Sequence, residues 1–399
     1  MREVVFVDGC RSAFGNLGGG LRKLSSTEIA AEVVKELVRR SEILDRGNVD
    51  SLFAGCALGD ATACDPARYI SLKAGLPMET SAVFVEMQCG SAITAINHAA
   101  CKIAMGLADV MIVGGMESYS TMPALFSMST EPYKLIPPTA IAQRLAPTDE
   151  ENINMIQVSD GMAKKWGISR EACDEYAVES QNRLAAAYKK GITGSEIVPI
   201  TFPATRKTPE IVIEKDEFPK PATTIDGLAK LRSVIAGGVT TAGNSSGRND
   251  GAAFVLMMTA EKAKELGYEP LARWVTGADI GCHPYEMGIG PAYSNLKAMK
   301  QAGLSIEDMD VFECNEAFAA QNLSVIKEME ALTGKKIDRN KWNPNGGAIA
   351  IGHPNGASGG RVAMFAMRQL EQTGGRYGLF SSCCGGGHGT TAVIENLRR

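Results

Sequence analysis

Lysine and arginine form no block in this chain, and no apolar run approaches the roughly 20 uncharged residues needed to cross a bilayer. With 41 basic against 45 acidic residues, a net charge of −4 and a pI near 5.8, neither nucleic acid nor a membrane is an expected partner. No secretory leader is expected before Val4, because Arg2-Glu3 leads straight into a strand-like Val-Val-Phe-Val, and Asn396-Leu397-Arg398-Arg399 does not read as a peroxisomal address. These absences point to the cytoplasm. Histidine is scarce, at four residues. Cysteine is not: the count of ten would allow pairing by parity, but in a reducing compartment most are expected to be small buried apolar residues.

The 399 residues exceed what one simple core accommodates and suit two or three packed units. Hydrophobic content of 45% with 43 glycines fits a buried α/β protein. In the first third, strands are expected at 4–7, 52–57, 82–86 and 109–113, the second and third of them buried. A helix is expected over 27–40, with Ser26 or Thr27 as its N-cap, and an apolar helix over 91–106. The last third repeats the plan: strands at 274–275, 311–312 and 378–382, helices at 294–301 and 359–370. In both, a helix feeds a strand that ends in consecutive glycines, which argues for two similar halves. Residues 120–236 break the rhythm with proline clusters, a charged helix over 169–190 and the basic pair Arg206-Lys207. An insertion of that length is usually functional.

Three glycine-flanked segments carry the chemistry: Gln88-Cys89-Gly90-Ser91, Ile351-Gly352-His353-Pro354 and Cys383-Cys384-Gly385-Gly386-Gly387, with Asn315-Glu316-Ala317-Phe318 between the first two. Cys89 opens the apolar helix, so its thiol faces a positive helix end, which is expected to lower its pKa. His353 can take the proton. Cys383 offers a second proton donor and acceptor, with a thiol pKa near the ordinary 8.5. Glycine lets backbone N–H groups approach a substrate oxygen. Together these indicate covalent acyl transfer. Adjacent Cys383 and Cys384 with His388 nearby raise the alternative of a metal site, but zinc sites usually space their cysteines by two to four residues, so no metal is expected.

These segments, with Gly114-Gly115-Met116-Glu117-Ser118, the stretch 343–358 and the end 383–389, resemble the thiolase family in order and spacing over essentially the whole chain. The resemblance implies a duplicated five-layered α/β/α/β/α sandwich. Its N-terminal half would be 1–119, completed by 237–270. An inserted loop domain, 120–236, would receive coenzyme A and the acyl group, and 271–399 would form the C-terminal half. The implied activity is CoA-dependent cleavage of a 3-oxoacyl-CoA to acetyl-CoA and a shortened acyl-CoA, reversible as a condensation, as in β-oxidation. Coenzyme A would be a co-substrate. The assembly would be a homodimer or homotetramer, with a small accessory subunit left open. By resemblance, Cys89 is the nucleophile, and His353 activates it. His353 then forms an oxyanion hole with a water held by Asn315, and Glu316 would orient Asn315 or that water. Cys383 is the acid/base, and the N–H groups of Cys89 and Gly385 make a second oxyanion hole. Lys220 would lie near the CoA phosphates, Ser246 near the pantetheine, and Met287 in the acyl pocket.

One place departs from the family. Biosynthetic acetoacetyl-CoA thiolases carry His-Met-Gly before the helix that precedes Trp166, where this chain reads Asn154-Met155-Ile156. The loop 120–151 is also shorter and rich in proline. In relatives this loop shapes the acyl pocket and the tetramer contacts. Asn154 and Met155 are therefore expected at a pocket for a longer, branched or aromatic acyl group, with the ordinary acetoacetyl-CoA enzyme as the alternative. A ketoacyl synthase would lack the second cysteine. A non-catalytic CoA-binding subunit working beside a partner would not need Cys89, Asn315, His353 and Cys383 together.

Overall fold

The computed structural model describes residues 1–206 and 208–399, so Lys207 of the expected basic pair lies outside the described residues. Strands β1 (Val4–Ser12), β2 (Ser51–Gly55), β3 (Ser81–Val85), β4 (Val110–Ser118) and β5 (Asn249–Thr259) line up as β3-β2-β4-β5-β1. Strands β6 (Ala272–Gly281), β7 (Met309–Cys314), β8 (Tyr377–Cys384) and β9 (His388–Asn396) line up as β7-β8-β9-β6. The two sets meet where β1 pairs antiparallel with β6. The duplication is visible in the pairing senses. β2 and β4 are parallel, then β4–β5 and β5–β1 are antiparallel. Likewise β7 and β8 are parallel, then β8–β9 and β9–β6 are antiparallel.

The helices that position the site are α1 (Ser26–Ser41), α2 (Pro66–Lys73), α3 (Ser91–Ala104), α4 (Met155–Trp166), α5 (Arg170–Lys189), α6 (Gly290–Ala302), α7 (Ala319–Thr333), α8 (Ala348–Ile351) and α9 (Ser358–Thr373). Period-two alternation along the strands sorts them into layers. Val5, Val110, Ile112, Phe254 and Leu256 pack outward against Ile29, Val33, Leu37 and Ile70 of α1 and α2. Their neighbours Val4, Phe6, Met111, Val113 and Val255 face the middle, with Ile93, Ile96 and Ile103 of α3 and Val362, Met367 and Leu370 of α9. The second sheet closes that middle layer with Phe380 and Ile394, and presents Phe312, Leu379 and Val393 to α6 and α7 on its far side. This is the five-layered sandwich. Each fully buried Ile or Leu contributes about 1.5–3 kcal/mol by leaving water.

α3 and α9 are the twins of the middle layer, and their first turns touch. A Cβ on Gly359 would lie 2.7 Å from Ile93 N. The turns that precede them, carrying Cys89 and His353, therefore converge.

Several elements differ from expectation. β3 is a half-exposed edge strand, with Val83 41% exposed, because only β2 covers it. β4 runs through Gly114-Gly115 instead of ending there; a Cβ on Gly115 would meet the Gly356 carbonyl at 2.0 Å, so glycine lets the His353 loop lie against the strand. α1 is capped one residue earlier, by Ser25 in a capping box with Glu28. All ten cysteines are free, six of them buried. Among the described residues no helix is long and apolar enough to cross a membrane.

Candidate active site

The chain leaves β3 and makes a single tight turn over Gln88–Gly90 into α3. Gln88 holds φ +50°, a left-handed conformation costing about 1–3 kcal/mol in a non-glycine residue. Hydrogen bonds hold it there: Gln88 N–H donates to Glu86 Oε1 at 2.7 Å, Ser91 Oγ to the Gln88 carbonyl at 2.6 Å, and Met87 N–H to Ser91 Oγ at 2.9 Å. The turn delivers Cys89 half-buried at the helix start. Gly90 must be small, since a Cβ there would lie 2.4 Å from Cys384 Sγ.

Contrary to expectation, the Cys89 thiol is not acidified. Burial pushes it up to about 12, and the buried Glu117 carboxylate adds to the rise. The N–H groups of Cys89 itself and Gly385 hydrogen-bond the sulfur and pull the other way. A helix end is worth about 0.3–1 kcal/mol, less than this desolvation. Cys383, at the end of β8, is fully buried and likewise lies well above the ordinary thiol range, through burial and then the neighbouring Cys89. Both thiols rest protonated.

His353 follows α8 through Gly352, whose φ of +105° and close approach to the Asn249 amide exclude a side chain. Asn249 Oδ1 accepts the His353 backbone N–H at 2.9 Å, and its Nδ2 donates to the Gly15 carbonyl at 2.9 Å. Ser358 Oγ donates to the Pro354 carbonyl at 3.1 Å and lies 2.6 Å from His353 Nδ1. With its only proton on Pro354, that hydroxyl accepts from Nδ1–H, which leaves Nε2 as the unprotonated nitrogen. Burial, reinforced by the Arg361 charge, lowers the imidazole to about 3. A neutral histidine is the form that can act as a base.

Asn315, directly after β7, places Nδ2 3.4 Å from His353 Nδ1 and 3.3 Å from Nε2, and with the proton on Nδ1 only Nε2 can accept from it. Glu316 does not hold Asn315. Its oxygens accept from Tyr176 Oη (3.0 Å), Ser180 Oγ (2.7 Å), Asn343 Nδ2 (3.0 Å) and the Ile349 N–H (3.2 Å). It clamps α5 and α8 to the catalytic turn.

A cavity of about 350 Å³ opens beside this turn, lined by Gln181, Phe218, Lys220, Leu228, Gly243 and Ile349 among others. Lys220 Nζ lies 5.1 Å over the Phe218 ring, and Ile349 ends the cavity four residues before His353. Ser246 is not on the wall: its hydroxyl donates to the Ala317 carbonyl at 3.0 Å. Met287 is buried in the apolar cluster that contains Cys383, and Met155 packs against that cluster. Asn154 is instead an exposed N-cap of α4, its Oδ1 accepting the Gln157 N–H at 3.0 Å in a capping box. Among the described residues, no group of three or more His, Cys, Asp or Glu is placed to hold a metal ion.

Sequence reasoning missed Ser358 and Asn249, which set the histidine, and Glu117. The Glu117 carboxylate accepts the N–H groups of Ala57, Leu58 and Gly356, joining β2's following loop to the His353 loop. It also missed Tyr119, hydrogen-bonded to Asn355 beside Cys89, its hydroxyl pushed upward by burial. The available signals were that Ser358 closes the stretch 343–358 holding His353 and that Glu117 lies in the family-like segment 114–118; Asn249 and Tyr119 lie outside those segments.

Two buried thiols, a neutral imidazole and converging backbone N–H groups define an acyl-transfer site on a duplicated α/β scaffold. Residues 4–261 match the thiolase N-terminal domain and 268–396 the thiolase C-terminal domain. The chain is 41% identical to an acetyl-CoA acetyltransferase of Chromobacterium violaceum, over 98% of this chain and 99% of that one. It is 39% identical to a β-ketoadipyl-CoA thiolase of Acinetobacter baylyi over 100% of both. Human mitochondrial 3-ketoacyl-CoA thiolase in complex with CoA superposes with a TM-score of 0.89 at 35% identity, over 99% of this chain and 98% of that one. The chain belongs to the thiolase family and is an acyltransferase of thiolase type.

Proposed function

We propose that this enzyme cleaves a 3-oxoacyl-CoA larger than acetoacetyl-CoA through an acyl-Cys89 intermediate. The observation that carries the catalytic assignment is the pair of N–H groups, from Cys89 and Gly385, directed at a sulfur with Cys383 beside it. In this reading His353 Nε2 takes the Cys89 proton as the thiol attacks the 3-oxo carbon. The two N–H groups receive the oxyanion. As the carbon–carbon bond breaks, the electron pair moves onto the acetyl-CoA enolate, whose oxygen faces His353 and an Asn315-held water. Cys383 gives its proton to the enolate carbon. Once acetyl-CoA has left, Cys383 takes the thiol proton of incoming coenzyme A, which attacks acyl-Cys89; the departing Cys89 sulfur recovers the proton held on His353 Nε2, and the shortened acyl-CoA is released. Coenzyme A would lie in the cavity at Lys220, and residues 120–236 would act as its loop domain.

The acyl-group assignment draws on Asn154, which caps a helix where biosynthetic relatives have histidine, and on the methionines around Cys383. Relatives of nearly equal identity are named for acetyl-CoA and for β-ketoadipyl-CoA, so this framework accommodates both acyl classes. We infer degradative use in the cytoplasm by a homodimer or homotetramer.

Cys89→Ala should abolish turnover and acyl-enzyme formation with an unchanged circular dichroism spectrum. Acylated Cys89→Ala found by intact-mass measurement would refute the nucleophile. Cys383→Ser should still take an acyl group from a thioester but lose carbon–carbon cleavage by about 10²–10⁴-fold, the usual worth of a general acid. Retained cleavage there, with loss in Cys384→Ser, would move the role to its neighbour. A panel of 3-oxoacyl-CoA thioesters, including acetoacetyl, branched, aromatic and 3-oxoadipyl, should favour a larger acyl group by about tenfold or more in kcat/KM. Acetoacetyl-CoA as the best substrate would return the protein to the biosynthetic class.

A further inference from the structure

We propose that Arg361, tethered by Glu313, is a positioning residue that fixes which end of the Asn315 amide faces His353. Both charged residues are completely buried, and neither belongs to the catalytic set above. Arg361 lies one turn into α9, three residues after Ser358, and Glu313 lies on β7, two residues before Asn315, which directly follows the strand. Arg361 Nη1 donates to Glu313 Oε2 at 3.4 Å, and Nη2 donates to Asn315 Oδ1 at 3.3 Å. The guanidinium also stacks 5.0 Å above the Phe365 ring.

The consequence follows from donor and acceptor chemistry. An amide can sit in its pocket in two orientations of nearly identical shape, with NH₂ and oxygen exchanged. A guanidinium has only donors, so it accepts only the orientation with Oδ1 turned toward it. Nδ2 is then turned to His353, as the 3.3–3.4 Å distances record. In the flipped orientation the amide oxygen would face the site, where it would repel a developing enolate oxygen instead of stabilising it. The backbone contributes nothing to this choice: the Asn315 N–H is bound to the Ser381 carbonyl at 2.9 Å in either case. Arg361 thus acts through Asn315 and does not touch the substrate.

The assignment rests on the thiolase reading, and its failure is separable from failure of that reading. A parent enzyme that cleaves no 3-oxoacyl-CoA removes both; a parent that turns over tests Arg361 alone. In Arg361→Met, kcat should fall by at least about tenfold while KM moves less than about threefold, since a misplaced catalytic group typically costs 10- to 100-fold in rate. Arg361→Lys, which keeps a cationic donor in the same pocket, should recover part of that loss. The discriminating measurement is the double variant. Combined with Asn315→Ala, Arg361→Met should lower kcat by less than about twofold further, because the amide it orients is gone. Full additivity of the two losses overturns the assignment, as does an Arg361→Met enzyme with parental kcat. If Arg361→Met does not fold, Arg361→Lys with and without Asn315→Ala decides by the same criterion.

Discussion

Arg11 and Arg361 are both inaccessible to solvent, both face a buried glutamate and both stack on a phenylalanine, but their partners differ. Arg11 uses every nitrogen. Nε donates to Glu196 Oε1 at 3.1 Å, Nη1 to Asp216 Oδ1 at 2.7 Å and to the Ser12 carbonyl at 3.1 Å, and Nη2 to Asp216 Oδ2 at 2.9 Å. Asp216 takes two more donors, the Phe14 N–H and the Tyr188 hydroxyl. Among the described residues Arg361 makes only long hydrogen bonds, and neither its Nε nor Glu313 Oε1 has a hydrogen-bond partner. The first network fastens residues 188–216 to β1. The second stands beside Asn315 and His353. A saturated ion network locks one geometry. An unsaturated one leaves a buried charge whose field still reaches neighbouring groups, and this is where the histidine is found displaced in pKa.

The sharpest way to break the comparison is to remove Arg11. Arg11→Met would take the guanidinium from the buried Asp216 and leave Glu196 facing Arg368 at 3.8 Å, and breaking such a buried pair costs about 3–5 kcal/mol. The unfolding free energy from urea denaturation should fall by that much, while kcat per folded molecule at low temperature stays near parental. Arg361→Met should do the reverse, with activity falling further than stability. If both arginines lower stability alike and leave kcat alone, the two networks are of one kind.

That asymmetry was not legible in the sequence. Arg361 and Glu313 read as ordinary polar positions in a helix and a strand, and only the third dimension places them together in the middle layer. The motif residues were legible, because cysteine and histidine between glycines are rare and chemically specific. The fold was legible too, since the helix-into-strand-into-glycine plan recurs in both halves. Electrostatics were not. Helix position argued for an acidic Cys89, but burial outweighs a dipole, and burial is a property of the packed molecule. Asn154 stood out by its position against the family, while the capping-box pattern Asn154-x-x-Gln157, a local signal equally present in the sequence, explains what its side chain does in the fold. Glu316 was assigned to its sequence neighbour, while its real partners come from α5, α8 and Asn343.

A smaller effect sharpens the contrast through pH. His353 is lowered from 6.5 to about 3, so the native state binds fewer protons than the unfolded chain in that window. Its contribution to stability is therefore complete above pH 6.5 and lost as pH falls toward 3. Between pH 6.5 and about pH 5 the loss should be about 2 kcal/mol. His353→Gln, which cannot titrate, should flatten that part of the stability curve. An unchanged slope in His353→Gln would mean that the imidazole is not held neutral.

Glu313 supplies the opposite and smallest effect. Burial raises its carboxyl from 4.5 to about 8; Arg361, at 3.4 Å, only partly offsets this, and Glu316 adds to it. The native state then binds more protons than the unfolded chain between those values. Stability from this group is full below pH 4.5 and is lost as pH rises toward 8, the reverse of His353. Glu313→Gln keeps the shape and an acceptor for Arg361 but has no proton to lose. Relative to parent it should gain on the order of 1 kcal/mol between about pH 5 and about pH 6, read from urea denaturation at the two values. Asp216 is the geometric contrast, since it accepts from Arg11, the Phe14 N–H and the Tyr188 hydroxyl. If Glu313→Gln shows the same stability difference from parent at both pH values, Glu313 is held as firmly as the Arg11 partners are, and the distinction between a locking network and an open one no longer stands.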